Sequence, residues 1–137
     1  MKIYFAGSIR GGRERVDDYA RIVNKLQEYG EVLTVHVANP ELCDKGEAKL
    51  SLQEIYDRDM KWLAESDLLV AEVSMPSLGV GYELGVAEKL GKRVICLYDN
   101  KSDKSLSAMI GGNSNFKIVR YNTIDEVLEY LKNNVNE

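Results

Sequence analysis

Short apolar segments rich in β-branched residues alternate with amphipathic stretches along the whole chain, and this rhythm constrains the fold most. Lys2 to Ala6 (KIYFA), Asp67 to Val73 (DLLVAEV) and Arg93 to Tyr98 (RVICLY) read as strands covered on both faces. Glu31 to Val37 (EVLTVHV) alternates and is β-branched, and Lys117 to Tyr121 makes a further strand. Between the first two strands in the chain, Arg13 to Tyr29 reads as a helix stopped by Gly30, a residue suited to a left-handed cap. Ser51 opens a second helix to Glu65, with Glu54 completing a capping box. A third, shorter helix follows the loop Ser74 to Gly81, runs to about Leu90 and ends at Gly91. The polar connection Asp99 to Asn115 holds one helical turn around Leu106 to Ile110, and Thr123 with Glu126 caps a last helix to about Asn134.

Strands alternating with helices imply a parallel sheet with helices on both faces. Right-handed crossovers favour strand order 2-1-3-4-5, an α/β fold of the flavodoxin-like or Rossmann-like three-layer type with five strands. The 137 residues fit a single domain over 1–137, with no repeat or linker to divide it. Ligands of such sheets bind beyond the carboxyl ends of the strands, so the site belongs to the loops after strands one, three and four.

Eighteen Lys and Arg stand against 22 Asp and Glu, a net charge of −4 with no basic block. This argues against polymeric nucleic acid as partner, since neutralising many phosphates needs a positive surface. It leaves room for one nucleotide in a local pocket. Cys43 and Cys96 are far apart without metal-ligand spacing, so reduced thiols in a cytoplasmic protein are expected. Neither a leader nor a membrane-spanning run is read from the chain.

Two carboxylates carry the chemical argument. On the helix from Ser51 to Glu65, Leu52, Ile55, Tyr56, Trp62 and Leu63 form one apolar stripe, and Asp59 falls in its middle, while Asp57, Arg58 and Lys61 point away. A carboxylate on a core-facing surface is costly unless it is paired or lines a polar cavity. Glu83 sits beside the buried face (Val80, Leu84, Ala87, Leu90) of the third helix, in its first turn, where the helix dipole favours an anion. Each alone has an ordinary structural explanation: a capping or ion-paired Asp, a first-turn Glu. Together they match glycosidic cleavage, in which one carboxylate meets the cationic sugar carbon and another group handles the leaving-group proton.

The turn Gly7-Ser8-Ile9-Arg10-Gly11-Gly12-Arg13 leads from the first strand into a helix, an arrangement that can hold an anion. It lacks both the P-loop and the dinucleotide fingerprint, so a monophosphate is the inference. Ser77 and Ser105 to Ser107 add hydroxyls at the same edge. His36, the only histidine, is near the carboxyl end of strand two, where a structural role competes with a place in the substrate pocket. Tyr4 and Trp62 belong to the core or the pocket wall, and neither a metal cluster nor a Ser/His/Asp constellation emerges.

The strings YFAGSIRGGRE, LTVHVANPEL, YDRDMKWLAESDLLVAEVSMPSLGVGYELG and SLSAMIGG closely resemble the 2'-deoxynucleoside 5'-phosphate N-hydrolases, grouped with the nucleoside 2-deoxyribosyltransferases. The resemblance covers nearly the whole chain. It implies Glu83 as nucleophile at C1' and Asp59 as the partner that helps the base depart and activates water. It implies a phosphate site from Ser8, Gly11, Gly12 and Arg10 or Arg13, with Ser77, and with Gly7 and Gly79 in the same substrate-binding set. Ser107 would reach the phosphate from the neighbouring subunit of a homodimer, Tyr4 would disfavour a 2'-hydroxyl, and Ile9 and Met109 would flank the base. No metal or organic cofactor is implied. The expected reaction is hydrolysis of the N-glycosidic bond of a 2'-deoxynucleoside 5'-monophosphate. Base exchange on nucleosides, a ribonucleoside monophosphate N-glycosidase and a non-catalytic nucleotide-binding module are the alternatives.

Overall fold

A computed structural model describes residues 1–9, 15–39, 47 and 49–136. Five strands, β1 (Lys2–Ala6), β2 (Glu31–Val32), β3 (Leu68–Glu72), β4 (Arg93–Asp99) and β5 (Lys117–Tyr121), form one parallel sheet in the order β2-β1-β3-β4-β5. The expected order and the expected parallel sheet are both met. Helices α1 (Val16–Leu26), α2 (Leu52–Glu65), α3 (Leu78–Lys89), α4 (Ala108–Gly111) and α5 (Ile124–Asn134) connect them. The capping boxes read at Ser51 with Glu54 and at Thr123 with Glu126 both form.

The pleat sorts each strand between two cores. Ile3, Phe5, Leu68, Val70, Ile95 and Leu97 pack with the residues of α1 and α5, whereas Tyr4, Ala6, Leu69, Ala71, Val94 and Cys96 pack with those of α2 and α3. Each large apolar side chain so enclosed contributes about 1.5–3 kcal/mol. This alternation turns Tyr4 towards the helices that carry Asp59 and Glu83. Cys96 is a free, buried thiol whose pKa is pushed up to about 12 by burial, and Cys43 lies outside the described residues. Among the described residues no helix is long and apolar enough to cross a membrane.

Four expectations change on folding. Strand two is only Glu31–Val32, because Thr34 turns inward: its hydroxyl takes the backbone N–H of Phe5 at 2.8 Å and gives to the Phe5 carbonyl at 2.7 Å. The side chain thus satisfies the β1 edge that a longer strand would have paired, and Val35–Ala38 closes into a 3-10 turn bearing His36. Gly30 is not a left-handed cap. Among the described residues only Gly91 has positive φ (70°), while a Cβ at Gly30 would lie 2.3 Å from the Met1 carbonyl oxygen. The segment expected to be loop up to Gly81 is helical from Leu78, with Ser77 as N-cap accepting from the Val80 N–H at 3.3 Å.

The stripe on α2 is the fourth. Leu63 is buried, but Leu52 and Tyr56 are 73% and 51% exposed, so the amino-terminal half of the helix leaves the core. On α3, Val80, Leu84 and Ala87 are buried as expected and Leu90 is half exposed.

Candidate active site

A cavity of about 190 Å³ opens at the carboxyl edge of the sheet, where β1 and β3 lead into their loops, and Asp59 and Glu83 both line it. Gly7, Ile9, Ser77 and Gly79 form other parts of its wall, together with Glu47 and Ile55. Asp59 comes from the middle of α2 and Glu83 from α3, so two acids from separate helices converge on one space. Ser77, Gly79 and Val80 also border an adjoining cavity of about 580 Å³, which is largely apolar and carries Ser105 and Ser107 on its rim.

Glu83 differs from its expected setting. Because α3 starts at Leu78, Glu83 stands in the second turn, beyond the strongest part of the dipole. Burial pushes its carboxyl up to about 7, the negative Asp59 adds to the rise, and the Tyr4 hydroxyl opposes it by donating to Oε2. Tyr4 is itself buried, and desolvation together with the two acids keeps its phenol protonated. A carboxylate with a pKa near neutrality is poised to exist as a weakly solvated, reactive anion.

Asp59 is also raised by burial, and the guanidinium of Arg58 counteracts that rise. Arg58 does not point away as its helix position suggests. Its Nε donates to Asp59 Oδ1 at 3.0 Å, and its two terminal nitrogens donate to Glu47 at 2.7 and 2.6 Å. The guanidinium carbon lies 4.7 Å from the centre of the Trp62 ring. His36 stacks obliquely on Trp62 at 5.8 Å and brings Nε2 within 3.3 Å of Arg58. His36 therefore belongs to this charged wall behind Asp59. Glu47 and Arg58 were not singled out from the sequence: Glu47 lies in a polar loop with no periodicity, and Arg58 has the spacing of a solvated face.

The remaining site residues are distributed as follows. A Cβ on Gly7 would lie 2.8 Å from the ring of Tyr19, so only glycine lets the chain pass there. Ser8 is buried, and its N–H donates to the Tyr19 hydroxyl at 3.0 Å. Ser107 caps α4 by accepting from the Met109 N–H at 3.2 Å, and Met109, 83% exposed, is not among the residues that line the two acids' cavity of this chain. Arg10, Gly11, Gly12 and Arg13 lie outside the described residues.

Behind the cavity, on the other face of the sheet, a fully buried Glu72 braces the loop that ends at Ser77. Its oxygens accept from Ser74 N–H at 2.8 Å, Ser74 Oγ at 2.9 Å and the Tyr121 hydroxyl. Ser74 Oγ in turn accepts from the Asp99 N–H at 2.7 Å, and Asp99 pairs with Arg15 at 2.9 Å. The first residues of α1 and the loop after β3 are so tied to the end of β4.

The sequence profile of the nucleoside 2-deoxyribosyltransferases matches residues 3–126. The chain is 52% identical to the 5-hydroxymethyl-dUMP N-hydrolase of Danio rerio, over 98% of this chain and 100% of that one. It is 49% identical to the 5-hydroxymethyl-dUMP N-hydrolase of Homo sapiens, over 87% of this chain and 71% of that one. A solved structure, the CMP N-glycosidase of Clostridium botulinum, superposes with a TM-score of 0.69 at 23% identity, covering 96% and 98% of the two chains, and so shares the fold. On the match of its sequence from Ile3 to Glu126, the chain belongs to the nucleoside 2-deoxyribosyltransferase family.

Proposed function

We propose that this protein, as one domain over 1–137, hydrolyses the N-glycosidic bond of a 2'-deoxynucleoside 5'-monophosphate, releasing the base and 2-deoxyribose 5-phosphate. The observation that carries the reading is the convergence of Glu83 and Asp59 on one cavity, with the Tyr4 hydroxyl on one Glu83 oxygen.

Glu83 Oε1 attacks C1' as the C1'–N bond breaks, and the bond's electron pair leaves with the base nitrogen. Asp59 assists by giving or directing the proton that the base takes up. The sugar is then an ester of Glu83. Water attacks C1', Asp59 accepts its proton, and the Glu83 carboxylate is restored. Tyr4 steadies Oε2 and occupies the space beside the sugar, which disfavours a 2'-hydroxyl. Ser8, Gly11, Gly12 and Arg10 or Arg13 hold the phosphate with Ser77, while Ile9 and Met109 flank the base. His36, behind Arg58, supports the base side of the pocket through that guanidinium. No metal or organic cofactor takes part.

A second copy completes the site. Leu52 and Tyr56 on α2, Leu78 and Tyr82 on α3 and Met109 are exposed apolar groups, the Tyr56 and Tyr82 rings lie 6.2 Å apart, and we assign them to one face. In the homodimer this face is buried and Ser107 reaches the neighbouring phosphate. The reading is of a cytoplasmic enzyme acting on a small molecule, without polymeric nucleic acid or membrane.

The names of the relatives make 5-hydroxymethyl-dUMP the first substrate to try. Chromatography of free base after incubation with deoxy- and ribonucleoside monophosphates tests the proposal. Release from the deoxynucleotides is expected, and no release from any of them would sink it.

A further inference from the structure

We infer that Arg58 is a positioning residue, clamped by Glu47 and laid on Trp62 so that its guanidinium holds Asp59 Oδ1 and leaves Oδ2 to the substrate cavity. The value of such a clamp for turnover rests on the hydrolytic reading of Asp59 above; the clamp itself stands on geometry.

Adjacent helical residues do not normally face one another, so Arg58 meets Asp59 only by folding back. Glu47 supplies the reason. It lies eleven positions earlier, on the wall of the same cavity, and takes both terminal nitrogens of the guanidinium in a two-pronged pair. Trp62, one turn further along α2, offers the ring on which the cation lies. With its fork engaged by one acid and its plane resting on an aromatic face, the guanidinium has one remaining edge. That edge, Nε with a terminal nitrogen, meets Asp59 Oδ1 at 3.0 and 2.9 Å. Asp57 and Lys61, also on α2, remain in solvent and take no part.

The groups facing Asp59 are Arg58 from its own helix, His36 from the 3-10 turn, Glu47 from the preceding segment, Glu83 from α3 and Tyr4 from β1. Two of these, Glu47 and Glu83, are acids whose charge disfavours a second negative charge beside them. Arg58 is the strong cation among them, and its fork also fixes rotation of the Asp59 carboxylate, which a point charge on a flexible stem does less well. Two tasks follow: holding Asp59 ionised next to Glu83, and aiming its free oxygen.

The two tasks separate experimentally. The pKa of the Asp59 carboxyl is read by carbon-13 NMR titration of the whole protein, and kcat and KM by base release. Arg58→Gln is expected to raise the Asp59 pKa by about one unit and to lower kcat roughly tenfold while KM changes little. Arg58→Lys restores the charge but not the fork, so the pKa is expected to return towards the wild-type value while kcat stays several-fold low. Glu47→Gln frees the guanidinium without removing it and is expected to lower kcat as well. It also covers the case in which the Arg58 variants do not fold. An Asp59 pKa unmoved in Arg58→Gln overturns the inference, as does a kcat fully restored by lysine. If the wild type releases no base, the hydrolytic reading fails, and the titration still decides whether Arg58 holds Asp59.

Discussion

The hydroxyl of Tyr4 donates to Oε2 of Glu83, joining the first strand to the second turn of α3 across 79 positions of sequence. The contact exists because Tyr4 alternates onto the same face of the sheet as α2 and α3. It ties the ionisation of the proposed nucleophile to a buried phenol. Tyr4→Phe removes a donor that favours the Glu83 anion, so the acid limb of kcat/KM should move up by roughly one pH unit. The same variant should lose some preference for deoxyribose over ribose. Paired pH profiles on deoxy- and ribonucleoside monophosphates check both effects.

Glu83→Ala should reduce base release by at least about a thousandfold, because the covalent step loses its nucleophile while Asp59 is engaged with the base and the water. Circular dichroism should show an unchanged fold, as Glu83 lines a cavity and packs in neither core. Near-normal turnover in this variant would remove the mechanism.

The pH response of the wild type follows from the sign of the Glu83 shift. The folded chain keeps the Glu83 proton up to about pH 7, whereas the unfolded chain releases it near the ordinary value of 4.5. Base release should fall as pH drops below about 7. For stability the sign is opposite: the favourable contribution of this group is full below about 4.5 and is lost as pH rises through 7. Glu83→Gln cannot ionise, so thermal melts at pH 8 should show it more stable than wild type by about 1–3 kcal/mol. The gap should narrow towards pH 5.

Thr34→Val keeps the shape of the side chain but leaves the N–H and carbonyl of Phe5 without their hydroxyl partner inside the core. Urea denaturation should register a loss of about 2–4 kcal/mol. A loss under half a kcal/mol would show that another group closes the β1 edge.

Leu78 is 97% exposed in the single chain, on the face assigned to the second copy. Leu78→Glu should shift the mass seen by light scattering from dimer to monomer and lower base release with it. A wild type that is monomeric at all concentrations would remove the shared-site reading.

The elements were legible where local rules suffice. β5 runs over Lys117–Tyr121, the bounds that its pattern indicates, and the boxes at Ser51 and Thr123 form because cap and partner are three residues apart. What was misread depended on distant partners. Thr34 looks like one more β-branched strand residue until Phe5 is beside it. Leu52 and Tyr56 have the spacing of a core stripe, yet both stand exposed among the described residues. Glu83 moved from first to second turn because Ser77, and not a later residue, caps α3.

By itself the order of residues determined a five-stranded parallel sheet, the edge at which a ligand site is expected and the two acids worth attention, because periodicity and capping act within a few residues. Only the tertiary structure decided the chemical state of those acids. The pull of burial on Glu83, the Tyr4 hydroxyl on its Oε2 and the reach of Arg58 from Glu47 to Asp59 depend on distances between separate elements. Desolvation and charge coupling vary with those distances, and no local pattern encodes them.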